Sequence, residues 1–177
     1  HPHSVDREPS TKVALYFKQR LRRPLDKEVR NKLRAECPRP SIEGKVASTP
    51  DLDANMVTFM DMVIKDPKRG IDSSWCSCQD KLFDATGPLA TIMEMAEDAK
   101  RTAQNVNTEI LSGWVQRAVC LLGNANCTTT AERRCSLLLK LDPKLGKMAT
   151  SEAGAEAKGD LFGKTFVKQL THFVQTF

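Results

Sequence analysis

Apolar residues return every three or four positions along most of this chain, with polar residues between them, which is the spacing of amphipathic helices. Val13, Ala14, Phe17 and Leu21 form the first stripe, which Ser10 or Thr11 can cap and Pro24 ends. From Asp26 to Glu36 a charged helix keeps Leu25, Val29 and Leu33 on one face. The stretch Cys37–Pro50 holds three prolines and a glycine in fourteen residues and predicts an extended connector. Asp51 or Asp53 then caps a helix through Met56, Val57, Met60, Val63 and Ile64, ended by Pro67 and Gly70. A further helix runs through Trp75, Cys78, Leu82 and Phe83. The apolar pattern continues past Gly87-Pro88 into Leu89, Ile92, Met93, Ala96, Ala99 and Ala103, predicting a long helix kinked near Pro88.

Thr108 to Leu122 is the most hydrophobic stripe, built on Ile110, Leu111, Trp114, Val115, Ala118, Val119 and Leu122. Gly123-Asn124 predicts a left-handed helix stop there, and Thr128-Thr129-Thr130 with Glu132 predicts a fresh cap for a helix to Leu141. Pro143 opens a short helix to about Met148. The small polar run SEAGAEAKGD predicts a loop over 150–160. Leu161 to Phe177 closes the chain with Phe166, Leu170 and Phe173 on one face. Period-two alternation is missing over any useful length, so the expected fold is all-α. The expected organisation is a disordered arm at 1–9, a basic helical segment at 10–36, the connector at 37–50 and a helical self-association domain at 51–177. The start at His1-Pro2-His3 predicts a piece excised from a longer protein.

Charge adds one asymmetry. Of 27 Lys/Arg and 22 Asp/Glu, ten basic and five acidic residues lie between Asp6 and Glu36, and the rest of the chain is balanced at seventeen each. The excess of five is focused at Lys18, Arg20, Arg22 and Arg23. That cluster is either the solvated face of an amphipathic helix or a contact for nucleic-acid phosphates.

The chemistry of catalysis is thin. The chain has no nucleophile elbow, zinc-protease motif, phosphate-binding loop or dinucleotide fingerprint. His172, read as an interior histidine among Phe166, Leu170 and Phe173, has no identifiable partner. Cys76 and Cys78 are separated by one residue, too close for CxxC metal geometry, and Cys120 and Cys135 sit among leucines as small hydrophobes. Free thiols predict a reducing, intracellular compartment, nuclear or cytoplasmic. No window is apolar enough for a bilayer span, and no signal-peptide pattern appears in these residues. The expectation is a non-enzyme without cofactor, metal, membrane or small-molecule substrate.

What the sequence holds in surplus is apolar helix surface over 89–122, which predicts either a monomeric bundle or pairing across a twofold axis. Motifs add to this. Gln79 and Asp80-Lys81-Leu82-Phe83-Asp84-Ala85-Thr86-Gly87-Pro88-Leu89 resemble a recurring segment of Gag-like proteins from DIRS-type tyrosine-recombinase retrotransposons. Leu121-Leu122-Gly123-Asn124-Ala125, Arg133-Arg134, Leu141-Asp142-Pro143-Lys144-Leu145 and Leu161-Phe162-Gly163-Lys164-Thr165-Phe166 resemble further segments in the same order. Pro38-Arg39-Pro40 and Pro50-Asp51-Leu52-Asp53 fit the Pro-containing lead-in, so the likeness covers roughly residues 37–170. The resemblance extends to the C-terminal domain of the alpha isoform of lamina-associated polypeptide, a helical domain that dimerises through an antiparallel coiled-coil-like interface and binds nuclear lamin and retinoblastoma protein. It implies the same kind of dimer for residues 71–125 here.

The candidate interface is therefore Leu89, Ile92, Met93, Ala96, Ala99, Ala103, Ile110, Leu111, Trp114, Val115 and Ala118, and the implied partner is a second copy, as a homodimer or larger assembly. The alternatives are a nucleic-acid module acting through Lys18, Arg20, Arg22 and Arg23, or a domesticated domain with a nuclear protein partner. In physical terms Gly87-Pro88 sets the kink and Gly123-Asn124 ends the core helix. Arg133-Arg134 faces solvent, a nucleic acid or a partner carboxylate.

Overall fold

A computed structural model describes residues 8–64, 69–150 and 159–176, with side chains from residue 72 rather than 69 in the second segment. The chain is all-α, and no strand occurs among the described residues. Among the described residues seven α-helices follow one another: α1 (Thr11–Arg20), α2 (Lys27–Glu36), α3 (Ala54–Val63), α4 (Arg69–Asp84), α5 (Thr86–Thr102), α6 (Thr108–Leu141) and α7 (Gly163–Gln175). A 3-10 helix, Pro143–Thr150, joins the last two. The expected arm as far as residue 7, the stop at Pro67, the loop residues 151–158 and Phe177 lie outside the described residues.

Side-chain caps account for three of the helix starts. Ser10 Oγ accepts from the Val13 N–H at 3.4 Å, and Asp53 Oδ1 accepts from Met56 N at 2.9 Å. Asn107 Oδ1 opens α6 by accepting from the N–H groups of Glu109 and Ile110 at 3.0 and 3.1 Å. Cys37–Pro50 forms turns and extended chain, as its prolines require.

The bend between α4 and α5 falls at Ala85, three residues before Pro88. Pro88 lies in the first turn of α5, where a missing N–H leaves no helical bond unmade. Helix α5 closes on Ala103 in the left-handed conformation (φ 52°, ψ 32°), and the N–H groups of Ala103 and Gln104 both donate to Ala99 O.

The expected stop at Gly123-Asn124 is overturned, because α6 is one helix of 34 residues running through it. The expected threonine cap is likewise inside the helix, where Thr129 Oγ1 donates to Ala125 O at 2.9 Å. Glycine stands at position 123 for a packing reason. A Cβ there would lie 2.0 Å from Arg20 O and 3.2 Å from Leu21 Cα. Gly70, expected to follow a helix, lies within α4.

The chain divides into two compact units, neither of them continuous in sequence. The first combines the described residues up to Ser48 with Lys81–Asn124, and the second combines Thr49–Asp80 with the described residues from Ala125 onward. The basic segment and the connector thus pack with 81–124. In the second unit Leu138, Leu145, Ala149 and Phe166 form the core, lined by Phe162, Leu170 and Phe173. Arg134 is drawn into this core's edge: its Nε donates to Leu161 O at 2.8 Å, and its guanidinium lies 5.4 Å from the Phe166 ring centroid. The expectation that Arg134 faces a partner is corrected accordingly, whereas Arg133 is exposed. His172, expected inside, is exposed on α7.

Candidate functional site

The first unit contains the candidate interface, the basic cluster and a buried carboxylate that sequence reading missed. Asp84 ends α4 at 1% exposure. Arg30 Nε donates to its Oδ2 at 2.7 Å, and Arg39 donates to its Oδ1 at 2.6 Å through one terminal nitrogen and 3.2 Å through Nε. Arg34 adds a third guanidinium, with Nε 3.4 Å from Oδ1. A carboxylate without such partners would be strongly destabilising at this depth, so the arginines permit its burial. Asn31, Arg34 and Ala35 of α2, with Cys37–Arg39 and Asp84, line a cleft of about 430 Å³ there.

The residues beside Asp84 complete a second close approach. A Cβ on Gly87 would lie 2.0 Å from Cys37 O, so only glycine lets the connector lie against the start of α5. At the other end of the unit, Asn124 is 3% exposed and its Oδ1 accepts from the Leu25 N–H at 2.9 Å. The residues Asp84, Gly87, Gly123 and Asn124, prominent in the motifs, therefore all fasten the N-terminal segment.

Helix α1 covers α6 over a limited length. Tyr16 donates from its hydroxyl to Gln116 O at 3.2 Å, its oxygen lies 3.4 Å from Cys120 Sγ, and Arg20 O meets Gly123. Burial, reinforced by the Cys120 contact and opposed by Arg20, pushes the Tyr16 phenol up to about 12. On the opposite face of α6, Ala118 is buried. One to two turns earlier on that face, Leu111 and Trp114 are half-buried, while Val115 and Ile110 are 43% and 53% exposed. The Arg117 guanidinium lies 4.6 Å from the Trp114 ring centroid.

On α5, Ile92 and Ala99 are half-buried, whereas Leu89, Met93 and Ala96 are exposed, as is Ala103 at the helix end. The structure thus places all eleven candidate interface residues in one unit. Six of them are exposed, four are half-buried, and Ala118 is enclosed by its own unit. Of the basic cluster, Lys18, Arg22 and Arg23 are exposed. Arg20 is half-buried with its guanidinium 5.8 Å from the Tyr16 ring centroid, so it serves packing.

The six cysteines are free thiols. Cys78 is buried, and Cys76 is half-buried with its thiol directed at Asp72 Oδ2, 3.7 Å away. Among the described residues no group of three or more His, Cys, Asp or Glu side chains is gathered as for a metal ion, and no helix is long and apolar enough to cross a membrane. No protein-family model, curated protein or solved structure matches the chain.

Proposed function

We propose that this chain is a non-enzymatic self-association domain of the Gag-like kind, pairing through the apolar surface that α5 and the start of α6 leave uncovered. The observation that carries this reading is exposure: Leu89 and Met93 on α5 and Ile110 and Val115 on α6 are large apolar side chains left between 43% and 69% exposed. An exposed apolar run of this kind is a common mark of a protein interface. The motif likeness supports the same reading, since it implies a dimer over residues 71–125.

Magnitudes set the expected strength. Leu89, Met93, Ile110 and Val115 are between 43% and 69% exposed, so covering each contributes about 1 kcal/mol. Four such side chains on each of two copies give about 8 kcal/mol, against an association cost of about 4–15 kcal/mol. The pairing therefore responds to concentration. Light scattering on a dilution series with reductant tests it: the mass rises towards twice 19.7 kDa as concentration increases. Met93→Lys and Ile110→Lys, both at exposed positions, hold the mass at one chain. A mass of one chain at every concentration removes self-association, and wild-type association in both variants removes this surface as its site. The exposed Lys18, Arg22 and Arg23 would then make salt-sensitive nucleic-acid binding the leading alternative.

A further inference from the structure

We propose that the cleft beside Asp84 binds a small tetrahedral oxyanion of the phosphate type. Its lining carries two guanidiniums, Arg34 and Arg39, and one carboxylate, Asp84, a surplus of one positive charge. The carboxylate is already bonded by Arg30 at 2.7 Å and Arg39 at 2.6 Å, which lowers its repulsion of an incoming anion. Arg34 is held less closely, at 3.4 Å, and its side chain remains 43% exposed. It can therefore turn a planar, two-pronged donor towards a ligand without dissolving the bonds that hold Asp84. The Asn31 side chain adds a neutral polar group to the same lining.

The cleft's volume of about 430 Å³ suits a small molecule rather than a lone halide. Its charge argues against a metal cation, and its arginines argue against an apolar ligand. A phosphate monoester, free phosphate or a nucleic-acid backbone would present the same tetrahedral chemistry. The lining contains no aromatic side chain on which a base could stack, which favours the small species.

The test is thermal unfolding of the full chain against increasing inorganic phosphate, with sodium chloride at matched ionic strength as control. The midpoint rises saturably with phosphate and less with chloride. Arg34→Gln weakens the apparent phosphate affinity about tenfold, the scale of one charge-assisted hydrogen bond. Without phosphate its midpoint stays near wild type, because Arg30 and Arg39 still hold Asp84. If Arg34→Gln fails to fold, Arg34→Lys keeps the charge without the fork and still weakens phosphate binding. Competition by a nucleoside monophosphate assigns the source to monoesters, and competition by an oligonucleotide without terminal phosphate assigns it to a backbone. An equal response to chloride, or unchanged phosphate affinity in the folded Arg34 variant, overturns the proposal.

Discussion

Two glycines on α6 make a controlled pair, because the same substitution should act in opposite directions at each. At Gly113 a new Cβ would meet only the tip of the Arg117 side chain, at 3.3 Å, which can move aside. Gly113→Ala is then dominated by the backbone freedom removed from the unfolded chain and by helix propensity, and stabilises by about 0.5–1 kcal/mol. At Gly123 the same methyl group would sit 2.0 Å from Arg20 O and 2.9 Å from the carbon of that carbonyl. Ordinary carbon–oxygen contacts begin near 3.3 Å, so the end of α1 must retreat by about 1 Å. Overpacking of that size costs about 1–3 kcal/mol. The retreat also stretches the bond between Leu25 N and the buried Asn124 side chain, which is 2.9 Å long, at a further cost of about 1 kcal/mol. Set against the same helix gain, Gly123→Ala destabilises by about 2 kcal/mol. Urea unfolding of the three proteins, followed by far-ultraviolet circular dichroism, measures both effects. If Gly123→Ala is as stable as Gly113→Ala, the close approach of α1 does not exist in solution and the cover of α6 must be redrawn.

Asp84→Asn leaves Arg30, Arg34 and Arg39 around a neutral amide and lowers stability by about 3 kcal/mol in the same urea assay; a loss below about 1 kcal/mol would mean that solvent compensates the arginines. Ala103→Gly relieves a left-handed alanine at φ 52° and raises the unfolding free energy by about 1 kcal/mol, an effect that no change would contradict. Tyr16 is the single tyrosine, so the near-ultraviolet absorbance of phenolate reports it directly. Its folded-state value is raised from 10.0 to about 12, so the unfolded chain loses the proton first as pH climbs. That contribution to stability is complete below pH 10 and lost between 10 and about 12, and Tyr16→Phe flattens the decline across this window.

Helix existence was legible wherever the signal was local. Ser10 and Asp53 act as the caps their positions predict, and the prolines of Cys37–Pro50 exclude helix there. The misreadings come from residues whose role is set across the fold. Gly123-Asn124 reads as a stop because glycine and asparagine tolerate left-handed backbone, yet here the glycine admits another backbone and the asparagine fastens Leu25. The helix that does end in left-handed backbone ends on Ala103, which carries no such signal. Asp84 stands in the sequence as one letter of a motif, because its partners Arg30 and Arg39 lie 54 and 45 positions away and one sequence does not reveal that pairing. The candidate interface was read as one apolar surplus from 89 to 122. The fold separates it into a covered part at Ala118 and an uncovered part at Ile110 and Val115, a distinction set by packing across the fold rather than by local pattern.

The division of the chain between units has a consequence for its synthesis. The described residues up to Ser48 pack with a partner that is complete only at Asn124, 76 residues later. At a translation rate of about 5–20 residues per second, the amino-terminal segment waits roughly 4–15 s on the ribosome before its partner has been made. Neither α1 nor α2 contains a fully buried residue even after docking. A nascent segment so rich in Lys and Arg can therefore spend that interval in water with little apolar surface for chaperones to guard. Within this chain the basic segment precedes the part of α6 it packs against, which is made when its folding partner is already waiting.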